Sequence, residues 1–457
     1  MQDEVQKYYI KMTETKVSKL VVNLGIPTII SMLITNIYNL ADTYFVGMLG
    51  ASEQGATGVL FTLQCIIQAI AFMLGHGAGV NISKSLAERD NVQASKYATT
   101  AVVTGTIVSV LLLCFGLLLI TPFMYLLGSS DTVLPYAKDY GMWVLVSCPF
   151  MVISLIFNNI MRYEGKAFFA MFGLSAGGIL NIFGDYIFMR IMNLGVFGAG
   201  MSTGISQIIS FFILLIFYFK MCQSKIRPKY ITKDYKMYFS IIRVGFPSFI
   251  RQGITAISHG ALNNMAKPYG DEALAAMSVV NKLSQFALAF GLGIGQGFQP
   301  VASFNYQAKR YDRVKKALIF TIAIGTIMVG IIGLFYMIFP TYVARVFSKD
   351  DAVIEIARRG IIYGSIGVFF LPLCVCGNML YQSIRKAGIA SFLALLRSGL
   401  VFIPAIYINN AIWHLEGLLW AQPVANILSS LISLPFIIYF LQKNFNNSQN
   451  DLNGANV

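Results

Sequence analysis

The chain contains about twelve apolar runs, each long enough to cross a lipid bilayer as a helix. Roughly 20 apolar residues are needed for one helical crossing, and short polar or Gly/Pro breaks separate the runs. Of the 457 residues, 56% are hydrophobic and only 12% are charged, which is far from the composition of a soluble domain. The sequence therefore predicts an all-α integral membrane protein. The predicted spans are 17–49, 55–84, 96–121, 133–158, 167–191, 196–219, 238–263, 272–303, 314–339, 352–380, 387–409 and 416–441.

Most of the Lys and Arg residues fall in segments that are predicted to lie on one side of the membrane. The chain has 34 Lys and Arg against 20 Asp and Glu, a net charge of +14. If the N-terminus is cytoplasmic, about two thirds of the basic residues fall in cytoplasmic segments, as the positive-inside rule requires. We interpret the charge as a topology signal rather than as a nucleic-acid-binding surface. The even span count then predicts a multi-pass protein of the cell membrane, in contact with its lipids, with both termini cytoplasmic.

The sequence is duplicated at an offset of about 220 residues. The stretch beginning "LGIP" at residue 24 aligns with "VGFP" at 244, so that Pro27 falls on Pro247. Further along, "GHGAG" at 75 falls on "GQGFQ" at 295, and "MRYEGKA" at 161 on "YQSIRKA" at 381. Six spans per half is an even number, so the two halves have the same orientation in the membrane. The duplication predicts two pseudo-symmetric lobes of six helices each.

The duplication also predicts domain limits. We expect a cytoplasmic N-terminal segment, a first lobe, a basic cytoplasmic linker, a second lobe and a cytoplasmic tail. Their predicted limits are 1–16, 17–219, 220–237, 238–441 and 442–457, respectively.

Several motifs, in this order and spacing, resemble those of the multidrug and toxic compound extrusion (MATE) transporters, in particular the DinF-like or MepA-like branch. They are "GIP" in span 1, "LADTYFVGMLG" at its end, "GHGAGVNISKSLAERD" after span 2, "LNIFGDYIF" in span 5 and "GVFGAGMSTGIS" in span 6. The resemblance covers residues from about 15 to about 441. It implies a V-shaped bundle of six plus six helices that exports cationic or lipophilic drug-like compounds in exchange for H⁺ or Na⁺. It implies no enzymatic activity and no cofactor beyond the coupling ion, and we expect a monomer.

Two acids lie inside predicted spans. Asp42 is the only charged residue between Leu20 and Leu49, and Asp185 lies in span 5. A charged side chain in the hydrocarbon region is costly, so such residues usually face a partner or a water-filled cavity. With a rise of 1.5 Å per residue, both acids lie roughly 9 to 11 Å below the outer surface of the membrane. The matched depth predicts that the two carboxylates meet.

Two neutral polar residues are predicted at the same depth. Asn181 precedes Asp185 by one helical turn and shares its face of span 5. Thr203 lies about 10 Å deep in span 6. By resemblance to the family, Asp42, Asn181, Asp185 and Thr203 are the residues implicated in cation coupling. Two carboxylates in a low dielectric should either share a proton or recruit a cation, and the oxygen donors suit Na⁺. The sequence does not choose between H⁺ and Na⁺.

The second half lacks this set of residues. Leu262, Val401 and Ala405 occupy the positions equivalent to Asp42, Asn181 and Asp185. Any cation coupling is therefore predicted for the first lobe alone.

Other polar or helix-breaking residues inside the spans are weaker candidates. Pro27 and Pro247 are expected to kink spans 1 and 7, because proline removes a helical hydrogen bond. Four residues, in spans 1 and 7, could line a substrate cleft, although structural hydrogen bonding explains intramembrane polar residues equally well. They are Asn36, Tyr38, Arg251 and His259. The six cysteines have no metal or disulfide spacing and are expected to pack as small apolar residues.

Three other functions share features with this sequence. An intramembrane aspartyl protease also uses two acids, in motifs that resemble Tyr-Asp on one helix and Gly-x-Gly-Asp on the next. Here Ala41 stands in place of the Tyr and Ile182 in place of the first Gly. A lipid-linked saccharide flippase of the same superfamily remains the main alternative, although it requires a strongly basic cavity. A passive channel remains as well, but duplicated lobes around one acid pair favour alternating access.

Overall fold

The computed structural model of the chain describes residues 2–454, and it describes side chains for 6–50, 52–255, 257–270 and 272–443. Over this part the chain is helical and contains no strand, which confirms the predicted all-α fold. The helices of the first half are α1 (Gln2–Glu14), α2 (Val17–Gly47), α3 (Ala51–Ala87), α4 (Asn91–Leu118), α5 (Ile120–Leu126), α6 (Leu134–Tyr163), α7 (Ala167–Asp185) and α8 (Gly195–Met221). Those of the second half are α9 (Tyr235–Ala266), α10 (Asp271–Gln307), α11 (Tyr311–Ile338), α12 (Pro340–Phe347), α13 (Asp351–Val368), α14 (Leu371–Ser383), α15 (Ala387–Leu395) and α16 (Phe402–Gly454).

Two π-helical turns interrupt the regular helices. One follows α7 at Tyr186–Ile191, and the other joins α15 to α16 at Leu396–Leu400. Such turns are rare and are frequent at functional sites. The predicted spans 5 and 11 are therefore each one continuous crossing with a local change of helical pitch.

The number of apolar helices is consistent with twelve spans. Among the described residues, nine helices are long and apolar enough to cross a membrane, or ten if α13 and α14, bent by 48°, form one span. One of the nine, Ala387–Lys443, contains two predicted spans. Within it His414 has φ 49° and ψ −129°, so α16 is two helices that meet at this residue. Helix α9 covers the predicted span 7, and Arg243 and Arg251 make it less apolar.

The ends of the helices repeat the sequence duplication. Arg89 and Lys309 both have a left-handed backbone, with φ 61° and 58°, after α3 and α10. The following N–H reaches back five residues in each case, from Asp90 to the Ser85 carbonyl and from Arg310 to the Asn305 carbonyl, both at 2.8 Å. This pattern is the Schellman motif, which satisfies the last carbonyls of a helix.

A side-chain contact is also repeated at equivalent positions of the two halves. The amide of Asn158 donates to the carbonyl of Ala170 at 3.1 Å, and that of Asn378 donates to the carbonyl of Ala390 at 2.6 Å. In both cases the bond ties one helix to the next across a tight turn. The duplication predicted from the sequence is therefore present in the local structure.

The chain forms two compact units, one containing Ile30–Gln252 and the other the residues up to Ile29 together with those from Gly253 onward. In the first unit, α6 packs against α3, α4, α7 and α8. In the second, α10 packs against α11, α13 and α14, and α13 packs against α16. The boundaries of these units fall inside α2 and α9, which each contribute residues to both, and the predicted lobes, 17–219 and 238–441, stay a prediction.

Candidate functional site

Helix α7 approaches its neighbours closely because glycines line its contact faces. A Cβ added to Gly173 would lie 2.3 Å from Cγ of Leu214 on α8. A Cβ at Gly178 would lie 2.8 Å from Cγ2 of Ile34 and 3.0 Å from the ring of Tyr38, both on α2. Only glycine permits this approach, and it brings the polar residues one and two turns further along α7 to α2 and α8.

A chain of hydrogen bonds runs from Asn181 to Asp42. Nδ2 of Asn181 donates to Oγ1 of Thr203 at 3.1 Å. Thr203 Oγ1 lies 3.2 Å from the hydroxyl of Tyr140, and that hydroxyl donates to Oδ2 of Asp42 at 2.9 Å. Since the tyrosine proton is directed to the carboxylate, the threonine proton is directed to the tyrosine oxygen. All donors in the chain therefore point toward Asp42.

The two predicted acids are buried in the same cluster. Asp42 is 8% exposed and Asp185 is fully buried. The two carboxylates are close enough to act on each other, and both act on the Tyr140 hydroxyl. The structure thus brings together all four residues predicted from depth, Asp42, Asn181, Asp185 and Thr203.

Several buried oxygens of this cluster have no hydrogen-bond donor. Among the described residues, Oδ1 of Asp42, Oδ1 of Asn181 and both carboxylate oxygens of Asp185 lack a partner. A buried acceptor without a donor is expensive, so such atoms usually serve a ligand. Carboxylate, amide and hydroxyl oxygens are the donors preferred by hard cations. The cluster therefore suits a proton or an alkali-metal ion. The part of the chain that the structure describes holds no group of three or more His, Cys, Asp or Glu arranged as metal ligands.

The equivalent positions in the second half belong to an apolar core. Leu262 and Ala405 are buried together with Phe402 and Ile406, and Val401 packs against them. Positions that carry polar residues in the first half therefore carry hydrophobic residues in the second half.

The other candidates are dispersed. Tyr38 is buried beside Gly178, Asn36 is half-buried on the same helix, and the Arg251 guanidinium lies 3.5 Å from the Ser248 hydroxyl. His259 belongs to the other compact unit, where its Nε2 lies 3.1 Å from Nε2 of Gln285. Their role in a substrate cleft stays a prediction. Pro27 and Pro247 lie inside α2 and α9, which remain helical, so the two kinks also stay predictions.

Two features of the first unit have no counterpart in the predicted site. Tyr140, on α6, completes the hydrogen-bond chain, but an aromatic residue in an apolar span gives no charge signal. Arg162 lies just after a predicted span, as basic residues on the cytoplasmic side commonly do. It is nevertheless 2% exposed, and its Nη2 donates to Nε2 of His76 at 2.9 Å and to Oδ1 of Asn159 at 2.6 Å. Since Nδ1 of His76 faces the Phe72 carbonyl at 3.1 Å, the imidazole proton is assigned to Nδ1.

Comparison with solved structures gives the same fold. The chain superposes with a TM-score of 0.90 on a MATE protein crystallised in complex with MaL6, at 22% identity, over 96% of this chain and 99% of the other. An outward-facing multidrug resistance MATE family transporter of the MOP superfamily gives a TM-score of 0.88 at 22% identity, over 95% and 97%.

Comparison of sequences identifies relatives along the whole chain. The multidrug export protein MepA of Staphylococcus saprophyticus is 26% identical over 97% of both chains. The protein of the same name from Staphylococcus aureus is 25% identical, also over 97% of both. The MatE family model matches the chain twice, over residues 27–187 and 247–408, and so begins each match at one of the two aligned prolines. The chain belongs to the MatE family.

Proposed function

We propose that this protein is a secondary transporter that exports small lipophilic and cationic organic compounds across the cell membrane in exchange for H⁺ or Na⁺. Its relatives are named multidrug export proteins, and its apolar helices support a membrane location. We further propose that both termini are cytoplasmic and that the protein acts as a monomer. The flippase alternative is not favoured by these relatives.

The observation that carries the coupling proposal is the cluster of buried oxygens around Asp42 and Asp185. Two unit charges about 5 Å apart repel by about 3 kcal/mol at an effective dielectric constant near 20. A proton or Na⁺ bound to the pair removes this repulsion and supplies the missing partner for the free oxygens. The occupied and empty forms of the first unit therefore differ in energy by an amount sufficient to bias a conformational equilibrium.

The hydrogen-bond chain defines what each residue does in this proposal. Asp42 and Asp185 bind the coupling ion, and Asn181 contributes its amide oxygen. Tyr140 holds Oδ2 of Asp42 and is itself bonded by Thr203, which leaves Oδ1 for the ion. An energy difference of about 3 kcal/mol shifts a two-state population by about two orders of magnitude. Ion and drug would then favour opposite states of the transporter.

The test is drug flux in proteoliposomes that contain the full-length protein. A cationic fluorescent drug is loaded, and its movement is followed under an imposed pH gradient or an imposed Na⁺ gradient, each without the other. We expect drug movement against its own gradient with at least one of the two ions. Flux that only ever follows the drug gradient would mean a channel, and no flux of any drug with transfer of a lipid-linked saccharide would mean a flippase.

A further inference from the structure

The second compact unit contains a cavity that is lined by several polar side chains. The space that it offers to a water-sized sphere is about 20 Å³, and it lies between α9, α10, α16 and the π-helical turn at Leu396–Leu400. Six of the residues that line it carry an imidazole, amide or guanidinium group: His259, Asn281, Gln285, Arg397, Gln422 and Asn426. Space of about 20 Å³ holds one or two water molecules, so it can take a small ion or the charged end of a larger molecule.

The cavity carries a positive charge that the protein does not neutralise. Arg397 lines it, and no Asp or Glu does. Among the described residues the Arg397 guanidinium makes no hydrogen bond and no ion pair. An arginine at membrane depth normally pairs with an acid or with backbone carbonyls. Its five N–H donors are therefore available to a ligand in the cavity.

The remaining lining residues suit an anion. The amides of Asn281, Gln422 and Asn426 can each present N–H donors, and Gln422 is itself held at 3.1 Å from Oδ1 of Asn426. His259 lies close enough to Arg397 to interact electrostatically and is paired with Gln285 at 3.1 Å. Neutral donors around one guanidinium match one negative charge, whereas a second anionic charge would have no partner.

The backbone positions Arg397 firmly. Its π-helical turn is tied to α9 by a hydrogen bond from the hydroxyl of Ser258 to the carbonyl of Ser398. The backbone of the turn is thus fixed beside the part of α9 that carries Ser258 and His259. A fixed backbone at the base of the side chain reduces the freedom that is lost when the guanidinium binds a carboxylate or a halide, which favours affinity.

The duplication relates this cavity to the acidic cluster of the first half. At the offset of 220 residues Arg397 corresponds to Gly177, which packs against Ser210 of α8. With the single deletion later in the alignment, Gln422 corresponds to Thr203. Gln422 is therefore the cavity residue that corresponds to a residue of the acidic cluster, whereas Arg397 has no charged counterpart in the first half.

We propose that the cavity around Arg397 binds one monovalent anionic group, either an inorganic anion such as chloride or the carboxylate of an organic molecule. This site goes beyond the export and ion coupling proposed above, because it uses none of the residues of the acidic cluster. It predicts that the transporter accepts a negatively charged group within the second unit while it binds its cation in the first.

Thermal unfolding of the purified full-length protein tests the proposal. Sodium chloride is exchanged for sodium sulfate at constant ionic strength, and in a second series sodium benzoate replaces the chloride. A ligand that binds only the folded state raises the unfolding midpoint, by on the order of 2 °C at concentrations well above its dissociation constant. We expect chloride, benzoate or both to give this rise in the parent protein.

Three variants assign the effect to the cavity. Arg397→Gln should abolish the anion-dependent rise, and Arg397→Lys should keep part of it because the charge remains. The control is Arg345→Gln, which removes an exposed charge from the same unit. A rise with benzoate that chloride lacks identifies an organic carboxylate as the ligand, and equal rises identify a small anion. The proposal is overturned if the parent shows no dependence on the anion, or if Arg397→Gln and Arg345→Gln respond alike.

Discussion

The hydroxyl of Tyr140 lies 2.9 Å from Oδ2 of Asp42 and 3.2 Å from Oγ1 of Thr203, so one side chain of α6 joins α2 to α8. The Tyr140 side chain is buried. Any movement of α2 relative to α8 must therefore break or rearrange a hydrogen bond that water cannot easily replace. A change in the charge of Asp42 is thereby linked to the packing of three helices.

Replacing Tyr140 by Phe should weaken coupling without removing either acid. The substitution leaves Oδ2 of Asp42 without its donor, at a cost of about 1–3 kcal/mol for a buried acceptor. We expect ion-driven drug flux to fall roughly tenfold at equal expression, which corresponds to about 1.4 kcal/mol. Tyr125→Phe is the matched control, because its hydroxyl bonds Asp131 at an exposed site. Unchanged flux in Tyr140→Phe would contradict a role for the hydrogen-bond chain.

The two acids should determine whether drug binding depends on ions. In the parent protein, drug affinity measured between about pH 5 and pH 9, with and without Na⁺, should change with at least one ion because the pair binds as a unit. In Asp42→Asn with Asp185→Asn this dependence should disappear while the drug still binds. Asp131→Asn, at an exposed position of the same unit, should behave as the parent. If the drug affinity of the parent protein is insensitive to both ions, the two acids only tether helices.

Gly178 should be intolerant of a larger side chain. A Cβ at this position would lie 2.8 Å from Ile34 and 3.0 Å from Tyr38, so Gly178→Val forces α7 and α2 apart. Overpacking of this kind costs about 1–3 kcal/mol and displaces Asp185 from Asp42. We expect a lower unfolding midpoint in detergent and a weaker ion dependence of drug binding. The control is Gly58→Val on α3, where a Cβ would have no neighbouring atom within 4 Å. It should change neither the unfolding midpoint nor the ion dependence, and equal effects of the two variants would refute the packing argument.

Glu164, which lies outside the membrane spans, should make the stability of the protein depend on pH. It lies between α6 and α7, where its carboxylate accepts from the backbone N–H groups of Gln223 at 2.5 Å and Ser224 at 3.1 Å. Burial raises the pKa of this carboxyl above its usual value, despite these hydrogen bonds. The folded state therefore holds the proton more tightly than the unfolded state, in which the pKa is about 4.3. The stabilisation is complete below that pH and is lost as pH rises through the folded pKa.

The measurement is the unfolding midpoint as a function of pH. We expect the midpoint of the parent to fall as pH rises above about 4.3, and Glu164→Gln to reduce this slope because glutamine does not titrate. Glu88→Gln, at an exposed position, should retain the slope of the parent. A slope identical in all three proteins would exclude Glu164 as its source.

The sequence predicted the residues of the acidic cluster but not its geometry. Depth along a helix depends only on the rise per residue, so the meeting of Asp42 with Asp185 could be inferred from the positions of the span ends. Tyr140 could not, because the direction in which an aromatic side chain points depends on how α6 is rotated against its neighbours. The role of Asp42, Asn181, Asp185 and Thr203 in ion coupling stays a prediction.

Arg162 illustrates the opposite difficulty. Its place near a span end agrees with the positive-inside rule, so the sequence gives no reason to expect its pairing with His76 and Asn159. The two π-helical turns were also missed, since apolar periodicity does not distinguish a π-helical turn from the surrounding α-helix. The break at His414 was placed correctly between two predicted spans, although the helix assignment runs through it.

The division of α2 between the two compact units has a consequence for the synthesis of the protein. The residues up to Ile29 belong with those from Gly253 onward, and the 223 residues of Ile30–Gln252 are made between them. At a synthesis rate of about 5–20 residues per second, the first turns of α2 wait roughly 10 to 45 s before the start of their packing partner is made. During that time lipid or the insertion machinery must cover the surface that α10 later occupies. A ribosomal pause or a truncation before Gly253 would therefore leave the first span without its partners in the membrane.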